Sequence, residues 1–235
     1  MNYTELKRAA FEANMELDRR HLVVYNFGNV SEIDRAQGVI AIKPSGVPYA
    51  DLTPEDMVVV DLDNRVVQGR LKPSSDTRTH THLYRHFDHI GGITHTHSTY
   101  ATGWAQAQLP IPCLGTTHAD FVYGDIPCTA IMSDAQVQRD YEEETGVQIT
   151  DCFKTRNPDE SPMVIVAGHG PFTWGKDAAK AVYHAVILEE VAHMAYLSRT
   201  LQPGIGPLKQ AIIDKHFLRK HGKNAYYGQA PVIFG

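Results

Sequence analysis

The chain has 235 residues, of which 43% are hydrophobic and 21% are charged, and its formal net charge is −5. This length and balance are typical of a globular protein, so we expect residues 1–235 to form a single domain. The negative net charge and the absence of a basic stripe argue against a nucleic-acid binder. No apolar run approaches the ~18 residues of a membrane span. The N-terminal segment is charged and amphipathic, unlike a signal peptide, which predicts a cytoplasmic protein with no membrane partner.

Hydrophobic periodicity and turn residues predict helices alternating with short strands. In chain order, helices are predicted at residues 5–17, 74–87, 99–107, 134–146, 177–200 and 207–221. Strands are predicted at residues 38–42, 57–62, 65–67, 91–97 and 163–167, with a hairpin at 57–67. Strands in hairpin-like groups between helices favour a largely antiparallel sheet covered by helices on both faces, an α/β fold of the three-layer α-β-α sandwich type.

Cysteine and histidine usage differ in what they indicate. The three cysteines, Cys113, Cys128 and Cys152, are scattered and form no CxxC pair. This pattern favours reduced thiols over a disulfide framework or a cysteine zinc site. Histidine is the unusual residue, with 13 copies, several of them between His80 and His97. The count alone proves little, so the spacing of these residues has to carry the interpretation.

His95-Thr96-His97 is the most informative short motif in the chain. Side chains alternate along a strand, so the two histidines project from one face and both imidazoles can reach one ion. The alternative is a pair of polar residues on a solvent-facing strand edge. His169 supports the metal site, because it follows a second apolar run and glycines on both sides let the backbone turn sharply. Asp76, at a predicted helix start, would complete a four-ligand set from three separate elements.

A second group of histidines precedes this motif: His80, His82, His86 and His89. His82 and His86 stand four residues apart on a predicted helix, a spacing that can also bind a metal ion. Arg78 and Arg85 lie beside them, and their positive charge disfavours a cation. We therefore interpret these four histidines as mostly solvated.

Three short polar turns share small residues, hydroxyl groups and backbone N–H groups. They are Gly28–Ser31, Lys43–Gly46 and Pro73–Asp76. A helix start at Ser74 and Ser75, with the Lys43 ammonium and the Asn29 amide nearby, would cradle a phosphate dianion. Each turn alone is more often only a turn, but together they predict a phosphate site. None of them is a Walker loop or a dinucleotide-binding fingerprint.

In combination these motifs resemble the class II aldolase/adducin superfamily, and within it the L-ribulose-5-phosphate 4-epimerases. The matching stretches are Gly28–Ser31, Ile42–Gly46, Lys72–Thr77, His95–Ser98, Gly115–Asp120, His169–Phe172, Trp174–Gly175, Lys215–Gly222 and Ala225–Gln229. They cover essentially the whole chain, and the set is far more specific than any one motif. The resemblance implies the class II aldolase/adducin-like sandwich with its central, largely antiparallel sheet.

The resemblance also implies a ligand set and a phosphate pocket. A divalent ion would be held by the matching residues His95, His97 and His169, with Asp76 as the carboxylate. The phosphate pocket of the family matches Asn29, Lys43, Ser45, Gly46, Ser74 and Ser75. The implied cofactor is Zn²⁺, although Mn²⁺ and Co²⁺ also suit three imidazoles and a carboxylate.

Further positions match the family's proton-transfer groups. Asp120 and Tyr227 match a pair that is contributed to each site by a neighbouring subunit of a cyclic homotetramer. Other matching positions near the site are Glu142, His216 and Arg219. Without the resemblance, Asp120 would be interpreted as a helix cap and Tyr227 as a packed tail residue. Glu142 and His216 would be interpreted as solvated surface residues.

The implied activity is metal-dependent epimerisation of a pentulose phosphate, L-ribulose 5-phosphate, to D-xylulose 5-phosphate. C4 carries no acidic proton, because the carbonyl is at C2. Inversion therefore requires cleavage and re-formation of the C3–C4 bond through an enediolate, whose charge a metal ion stabilises as a Lewis acid.

The alternative is an aldolase of the fuculose- or rhamnulose-1-phosphate type, which would release its fragments. Those aldolases resemble Ser-Ser-Glu where this chain has Ser74-Ser75-Asp76. A non-catalytic adducin-like scaffold would lack the ligands that this chain retains.

Several residues depart from the epimerase pattern. Phe27 stands where a Trp is usual, the pair Ala167-Gly168 replaces a bulkier pair, and Thr173 replaces a frequent Ala. We expect these differences to affect packing more than chemistry. Residues 230–235 extend past the usual end of the family.

Overall fold

Seven strands form one sheet in the computed structural model, which describes residues 2–227. The strands are β1 (Asn29–Asp34), β2 (Val39–Ile42), β3 (Val58–Asp61), β4 (Val66–Gln68), β5 (Gly92–His95), β6 (Met163–Ile165) and β7 (Pro171–Gly175). Their order across the sheet is β4-β3-β2-β1-β5-β7-β6, and every pair of neighbours is antiparallel. This confirms the predicted antiparallel character of the sheet.

Helices cover both faces of the sheet. They are α1 (Thr4–Arg19), α2 (Thr77–His86), α3 (Thr99–Ala107), α4 (Thr116–Ala119), α5 (Asp134–Arg139), α6 (Tyr141–Cys152), α7 (Ala178–Leu201) and α8 (Gln210–His221). Within residues 2–227, no helix is both long enough and apolar enough to cross a membrane.

Strand β2 explains why two helical layers form. All four of its residues are buried, as expected for a central strand covered on both sides. Ile40 and Ile42 pack with Leu83 of α2 and Ile149 of α6 on one face. Val39 and Ala41 point to the opposite face, where they pack in the cluster that contains Ala10 of α1. Because its side chains alternate between the two faces of the sheet, β2 contributes to two hydrophobic cores. The three-layer sandwich is therefore confirmed.

Two of the predicted elements are corrected. The single helix at 134–146 is wrong, because Asp140 interrupts it and caps α6 by accepting a hydrogen bond from the Glu143 N–H. Gly146 does not close that helix but lies inside α6, where a Cβ would sit 2.8 Å from His82. Gly146 therefore allows α6 to pack closely on α2. Asn29 begins strand β1 and does not belong to a turn.

Strand β7 was not predicted. Phe172 and Trp174 lie in it and are buried in the same core as α2, and its register places Phe172 opposite His95 and Trp174 opposite Ile93. The strand pairs with both β5 and β6, which is why the two apolar runs that carry the histidines become neighbours.

All three cysteines are free thiols, as the sequence predicted. Burial raises the pKa of Cys113 and of Cys128 to about 11, so these thiols are protonated and unreactive at neutral pH. They have no place in the site described below.

Candidate metal and phosphate site

Three histidines converge where β5 and β7 meet. His95 is the last residue of β5, His97 lies just beyond it, and His169 lies in the turn between β6 and β7. One ring nitrogen of each lies within 4.8 Å of the others, and the Nε2 atoms of His95 and His97 are 3.1 Å apart. The predicted strand through His97 is wrong, since β5 ends at His95. The two imidazoles nevertheless converge, and the Thr96 N–H between them still donates to the Pro171 carbonyl at 3.3 Å.

The hydrogen bonds of His95 fix which nitrogen faces the cluster. Its Nδ1–H donates to the Pro171 carbonyl at 2.9 Å, across the β5–β7 pair. This bond leaves the lone pair of Nε2 on the side of His97, as a metal ligand requires. The His95 ring also stacks on Phe172, with ring centroids 4.2 Å apart, which restricts its rotation.

Gly170 lets β7 approach the cluster. A Cβ at this position would lie 2.7 Å from the Thr96 carbonyl oxygen and 3.3 Å from Cδ2 of His97. The backbone atom cannot move away without shifting the strand end that holds both histidines. The glycine that precedes His169, Gly168, has a φ of +70°, in the left-handed region that favours glycine. Both glycines were predicted to allow the sharp turn.

The substitution Gly170→Ala is expected to weaken metal binding by at least about tenfold, because sub-ångström displacement of ligands spoils their geometry. Metal affinity is measured by titrating the apoprotein with Co²⁺. The matched control is Gly103→Ala on α3, where a Cβ meets no atom within 4 Å. Equal metal affinity in both variants would contradict the close approach at Gly170.

Burial favours the neutral form of two of the cluster histidines, His97 and His169. Burial, together with the neighbouring His95, lowers the pKa of His169 to about 3. Burial also lowers the pKa of His97, with His95 acting in the same direction. Neutral imidazoles are the form that binds metal ions, so these two residues need little further deprotonation before an ion is bound.

Asp76 supplies a negative charge beside the three imidazoles. Burial raises the pKa of its carboxyl group, but the nearby His95 and His80 side chains and a hydrogen bond from Asn29 outweigh burial, and the net shift is downward. Its oxygens are not part of the close three-nitrogen group, yet Asp76 lines the same cavity. Three imidazoles with an ionised carboxylate nearby fit a divalent transition-metal ion.

One cavity joins this cluster to the predicted phosphate turns. Its volume is about 390 Å³. The predicted site residues that line it are Asn29, Lys43, Ser45, Gly46, Ser74, Ser75, Asp76, His95, His97, Glu142 and His169. The structure therefore brings together the whole predicted ligand set, the whole phosphate set and Glu142.

The two phosphate turns are tied together by their backbones. The Ser45 N–H donates to the Lys72 carbonyl at 2.9 Å, and the Ser74 N–H donates to the Lys43 carbonyl at 3.0 Å. These two N–H groups are therefore not free for a phosphate, which corrects the expectation that they would cradle it. The Ser45 and Ser75 residues remain exposed at the cavity.

Lys43 is the cation of the cavity. The residue is 1% exposed, and its ammonium donates to the carbonyls of Val47 at 2.7 Å and Asn26 at 3.3 Å. Burial lowers its pKa to about 8, and no carboxylate contributes to that shift. A bound anion would supply the missing negative charge, so Lys43 is suited to a phosphate.

Asn29 links the phosphate turns of the cavity to the carboxylate beside the three histidines. Its Nδ2 donates to Oδ2 of Asp76 at 2.7 Å and to Oγ of Ser74 at 3.1 Å. Its Oδ1 is buried and has no partner within residues 2–227. The side chain is thus already used to hold the carboxylate, and its oxygen remains as an acceptor.

Two aromatic residues of the cavity wall were not identified as site residues. The Tyr141 hydroxyl lies 3.5 Å from Nδ1 of His169, and the Phe27 ring centroid lies 6.1 Å from that of His97. Tyr141 follows the cap residue Asp140, so the break between α5 and α6 is what directs it here. The helix break at Asp140 was the signal in the sequence that could have placed Tyr141 at the site.

The interpretation of the second histidine group is partly wrong. His80 and His82 are buried, whereas His86 and His89 are exposed. His82 bonds through Nδ1 to Oε1 of Glu143 at 2.7 Å and stacks on His86, which explains its burial on the α2–α6 contact.

The predicted proton-transfer residues form a separate group. Asp120 binds the Arg219 guanidinium at 2.9 Å and Nδ1 of His216 at 3.0 Å. The Tyr227 ring lies under the Arg219 guanidinium at 4.8 Å and is 60% exposed. None of these four residues lines the metal cavity. The structure therefore divides the predicted site between two places on one chain.

Hydrogen bonds from neighbouring side chains hold Asp120 ionised. Burial raises the pKa of this carboxyl group, but hydrogen bonds from Arg219, His216 and Lys220 outweigh burial and lower it. Asp120 occupies the C-cap position of α4, as the helix-cap interpretation allows, and its side chain also bonds to Arg219, His216 and Lys220. His216 is likewise partly buried against Asp120 and not a free surface residue.

Comparison with known proteins identifies the family. The profile of the class II aldolase and adducin N-terminal domain matches residues 8–196. The chain is 53% identical over 225 residues to the L-ribulose-5-phosphate 4-epimerase UlaF of Salmonella paratyphi A, covering 96% of this chain and 99% of the relative. The UlaF of Salmonella typhi matches with the same identity and coverage.

Solved structures match the fold. An L-fuculose 1-phosphate aldolase superposes with a TM-score of 0.79 at 24% identity, over 92% of this chain and 96% of that one. YgbL of Klebsiella pneumoniae superposes with a TM-score of 0.68 at 22% identity, over 92% of this chain and 99% of that one. At such identities these structures support the fold alone. The family profile and the 53% identical relatives show that the chain belongs to the class II aldolase/adducin superfamily and, within it, to the family of the L-ribulose-5-phosphate 4-epimerases.

Proposed function

We propose that this protein is a metal-dependent L-ribulose-5-phosphate 4-epimerase that produces D-xylulose 5-phosphate. The observation that carries the proposal is the single cavity in which a three-imidazole cluster faces the Lys43 ammonium and the hydroxyls of Ser45 and Ser75. A sugar phosphate has the matching parts, namely an anionic end and vicinal oxygens. The 53% identical relatives, named as epimerases of this kind, support the same substrate.

The chemistry explains why the cavity needs both the metal cluster and the phosphate-binding residues. Removal of the C4 hydroxyl proton allows the C3–C4 bond to break, and its electron pair passes into an enediolate over C2 and C3. The other fragment is glycolaldehyde phosphate, which turns its opposite face before the bond re-forms and the proton returns. Lys43 and the serine hydroxyls would hold the phosphate throughout, so that this fragment is not lost.

We propose that His95, His97, His169 and Asp76 hold the ion. The ion, when bound, supplies Lewis-acid stabilisation of the negative charge that develops on the substrate oxygens. Zn²⁺ suits the imidazole-rich set best, and Mn²⁺ and Co²⁺ remain compatible with it. Asn29 would keep the carboxylate oriented, since its amide already donates to Asp76 at 2.7 Å.

We propose that Asp120 and Tyr227 manage the C4 hydroxyl proton in the cavity of a second copy of the chain. Asp120 is ionised and so able to accept a proton, and the exposed Tyr227 hydroxyl can donate one. Both stand in the group with Arg219, outside the metal cavity of their own chain. A cyclic homotetramer with each site completed by a neighbouring subunit reconciles this separation with their roles. We further propose the cytoplasm as its location, which three free thiols support.

A coupled assay tests the function directly. The purified protein is incubated with L-ribulose 5-phosphate, and D-xylulose 5-phosphate is detected before and after treatment with a chelator. Turnover that the chelator abolishes and added Zn²⁺, Mn²⁺ or Co²⁺ restores is expected. A metal-loaded protein that is inactive here but cleaves a deoxyketose 1-phosphate would instead establish the aldolase alternative.

The pH dependence of substrate binding tests the role of Lys43. Its pKa of about 8 is below the ordinary value because of burial, and a phosphate dianion favours the charged form. Binding above that pH therefore requires uptake of a proton, so KM is expected to rise with pH, by up to about tenfold per pH unit. KM is measured between pH 7 and pH 9.5. The variant Lys43→Met is expected to have a high KM that does not depend on pH in this range. A flat KM in the unmodified protein would contradict the assignment.

A further inference from the structure

A polar ladder runs from the metal site into the core between α2 and β1. We use this name for Asn29 and Ser31 on β1 together with Asp76, His80 and Tyr84, which follow at four-residue intervals at the start of and along α2. Four residues of a helix rise ~6 Å and two residues of a strand rise ~6.6 Å, so the two elements remain in register.

Short hydrogen bonds form the ladder. Asn29 Nδ2 donates to Asp76 at 2.7 Å. One step further, Ser31 Oγ lies 2.7 Å from Nδ1 of His80 and 2.9 Å from the Tyr84 hydroxyl. The Tyr84 hydroxyl also lies 3.0 Å from the Ser31 carbonyl, so its single proton can be donated either to the Ser31 hydroxyl or to the Ser31 carbonyl.

His80 is the residue of the polar ladder whose burial the contacts described above do not explain. Its side chain is fully buried, and its Nε2 has no hydrogen-bond partner within residues 2–227. A buried imidazole nitrogen without a partner is unfavourable, and native proteins retain such groups where they have a role. The polar groups that act electrostatically on His80 are Asp76 and His95, both of which belong to the metal cavity.

Packing also connects His80 to the cavity. The His80 and Phe172 rings pack edge to face, with their centroids 6.1 Å apart. The His95 ring stacks on the same Phe172 ring, with centroids 4.2 Å apart. The backbone N–H of His80 donates to the Asp76 carbonyl at 3.1 Å, in the first turn of α2. His80 is therefore joined to Asp76 through the helix and to His95 through Phe172.

The ladder can set the tautomer of His80. When the Tyr84 hydroxyl donates to Ser31 Oγ, the serine hydroxyl donates to Nδ1 of His80, and the ring proton resides on Nε2. An N–H group in the dry interior near the ionised Asp76 is electrostatically favourable, whereas a second lone pair there is not. This arrangement satisfies the serine and tyrosine hydroxyls together.

We propose that His80 is a positioning residue of the metal site: anchored by Ser31 and Tyr84, it holds the Asp76 carboxylate in place relative to the three imidazoles. His80 touches neither the substrate nor the ion. The inference rests on the metal site proposed above, and it adds a residue one helical turn behind that site. Loss of its contacts is therefore expected to weaken metal binding chiefly through Asp76.

A double-mutant cycle tests whether His80 acts through Asp76. The apoproteins of the unmodified chain, His80→Asn, Asp76→Asn and the double variant are titrated with Co²⁺, with the visible absorption of Co²⁺ as the readout. The asparagine at 80 retains an amide near Ser31 but has no counterpart of Nε2. Each single variant is expected to bind about 10- to 100-fold more weakly. The double variant is expected to bind no more weakly than Asp76→Asn alone.

Two controls separate positioning from a merely structural role. His82→Asn changes another buried histidine of α2, which is bonded to Glu143 at 2.7 Å, and is expected to lower thermal stability while changing Co²⁺ affinity less than about twofold. Where His80→Asn does not fold, Tyr84→Phe replaces it in the cycle; it removes only the far hydroxyl, and its smaller loss of affinity is expected to vanish in the Asp76→Asn background.

The outcomes distinguish this inference from the function on which it rests. Fold-losses that multiply in the double variant, or an equal loss of affinity in His82→Asn, would overturn the role of His80 and leave the metal site intact. An unmodified protein that binds no Co²⁺ would overturn the metal site itself, and the positioning role with it.

Discussion

Replacement of His97 by alanine is expected to remove bound metal and turnover together. His97 contributes one of three ring nitrogens that lie within 4.8 Å of each other, and its Nε2 is 3.1 Å from that of His95. Loss of a residue that merely supports a ligand already costs about 10- to 100-fold in metal affinity, so loss of a ligand is expected to exceed that range. Metal content is measured by elemental analysis of the purified protein, alongside the epimerase assay.

Two further variants serve as controls for the His97→Ala result. His89→Ala removes an exposed histidine of the second group and is expected to retain both metal and activity. Tyr227→Phe lies outside the metal cavity and is expected to retain metal while slowing epimerisation in one direction. A His97→Ala protein that is metal-free yet fully active would exclude the three-histidine site as the catalytic centre.

Co-expression of two inactive variants is expected to restore activity. His97→Ala disables the metal cavity and Asp120→Asn disables the proton-transfer group, and each alone is expected to lose at least about 100-fold in kcat. In a ring where each site combines the cavity of one copy with Asp120 of the next, random mixing leaves about one quarter of the sites complete. The two chains carry different affinity tags, and hetero-oligomers are purified on both before assay.

A second mixture distinguishes sites shared between two copies from sites contained in one chain. The unmodified chain is co-expressed with a chain that carries both substitutions. About one quarter of the sites are expected to be active if two copies share each site, and about one half if each chain holds its own. Inactivity of the first mixture together with half activity of the second would show that the Asp120 group acts within its own chain, against the separation of the two groups in the structure.

The site residues that could be predicted are those whose chemistry is local in the sequence. His95 and His97 lie two residues apart, and Ser74, Ser75 and Asp76 lie at a helix start, so short-range patterns suffice to mark them. The flanking glycines of His169 indicated its tight turn, and Gly170 does allow the close approach to Thr96. The family resemblance added positions such as Asp120 and Tyr227, whose local patterns indicate only capping or tail packing.

The residues that could not be predicted depend on contacts between distant segments. His80 was interpreted as solvated because it lies among charged residues in the sequence, but the ladder between α2 and β1 buries it completely. Tyr141 reaches the cavity only because Asp140 ends one helix and begins another. Neither environment leaves a periodic signal.

The sequence by itself therefore determined the helical and strand periodicity, the sandwich architecture and the ligand types of the metal and phosphate groups. The tertiary structure alone decided that Lys43 is a buried cation with a depressed pKa, and that Asp120 lies with Arg219 outside the metal cavity. The physical reason is that periodicity and residue chemistry are encoded over a few neighbouring residues. Burial and charge pairing arise from groups far apart along the chain, which only the packing of β1, β5 and β7 against the helices brings into contact.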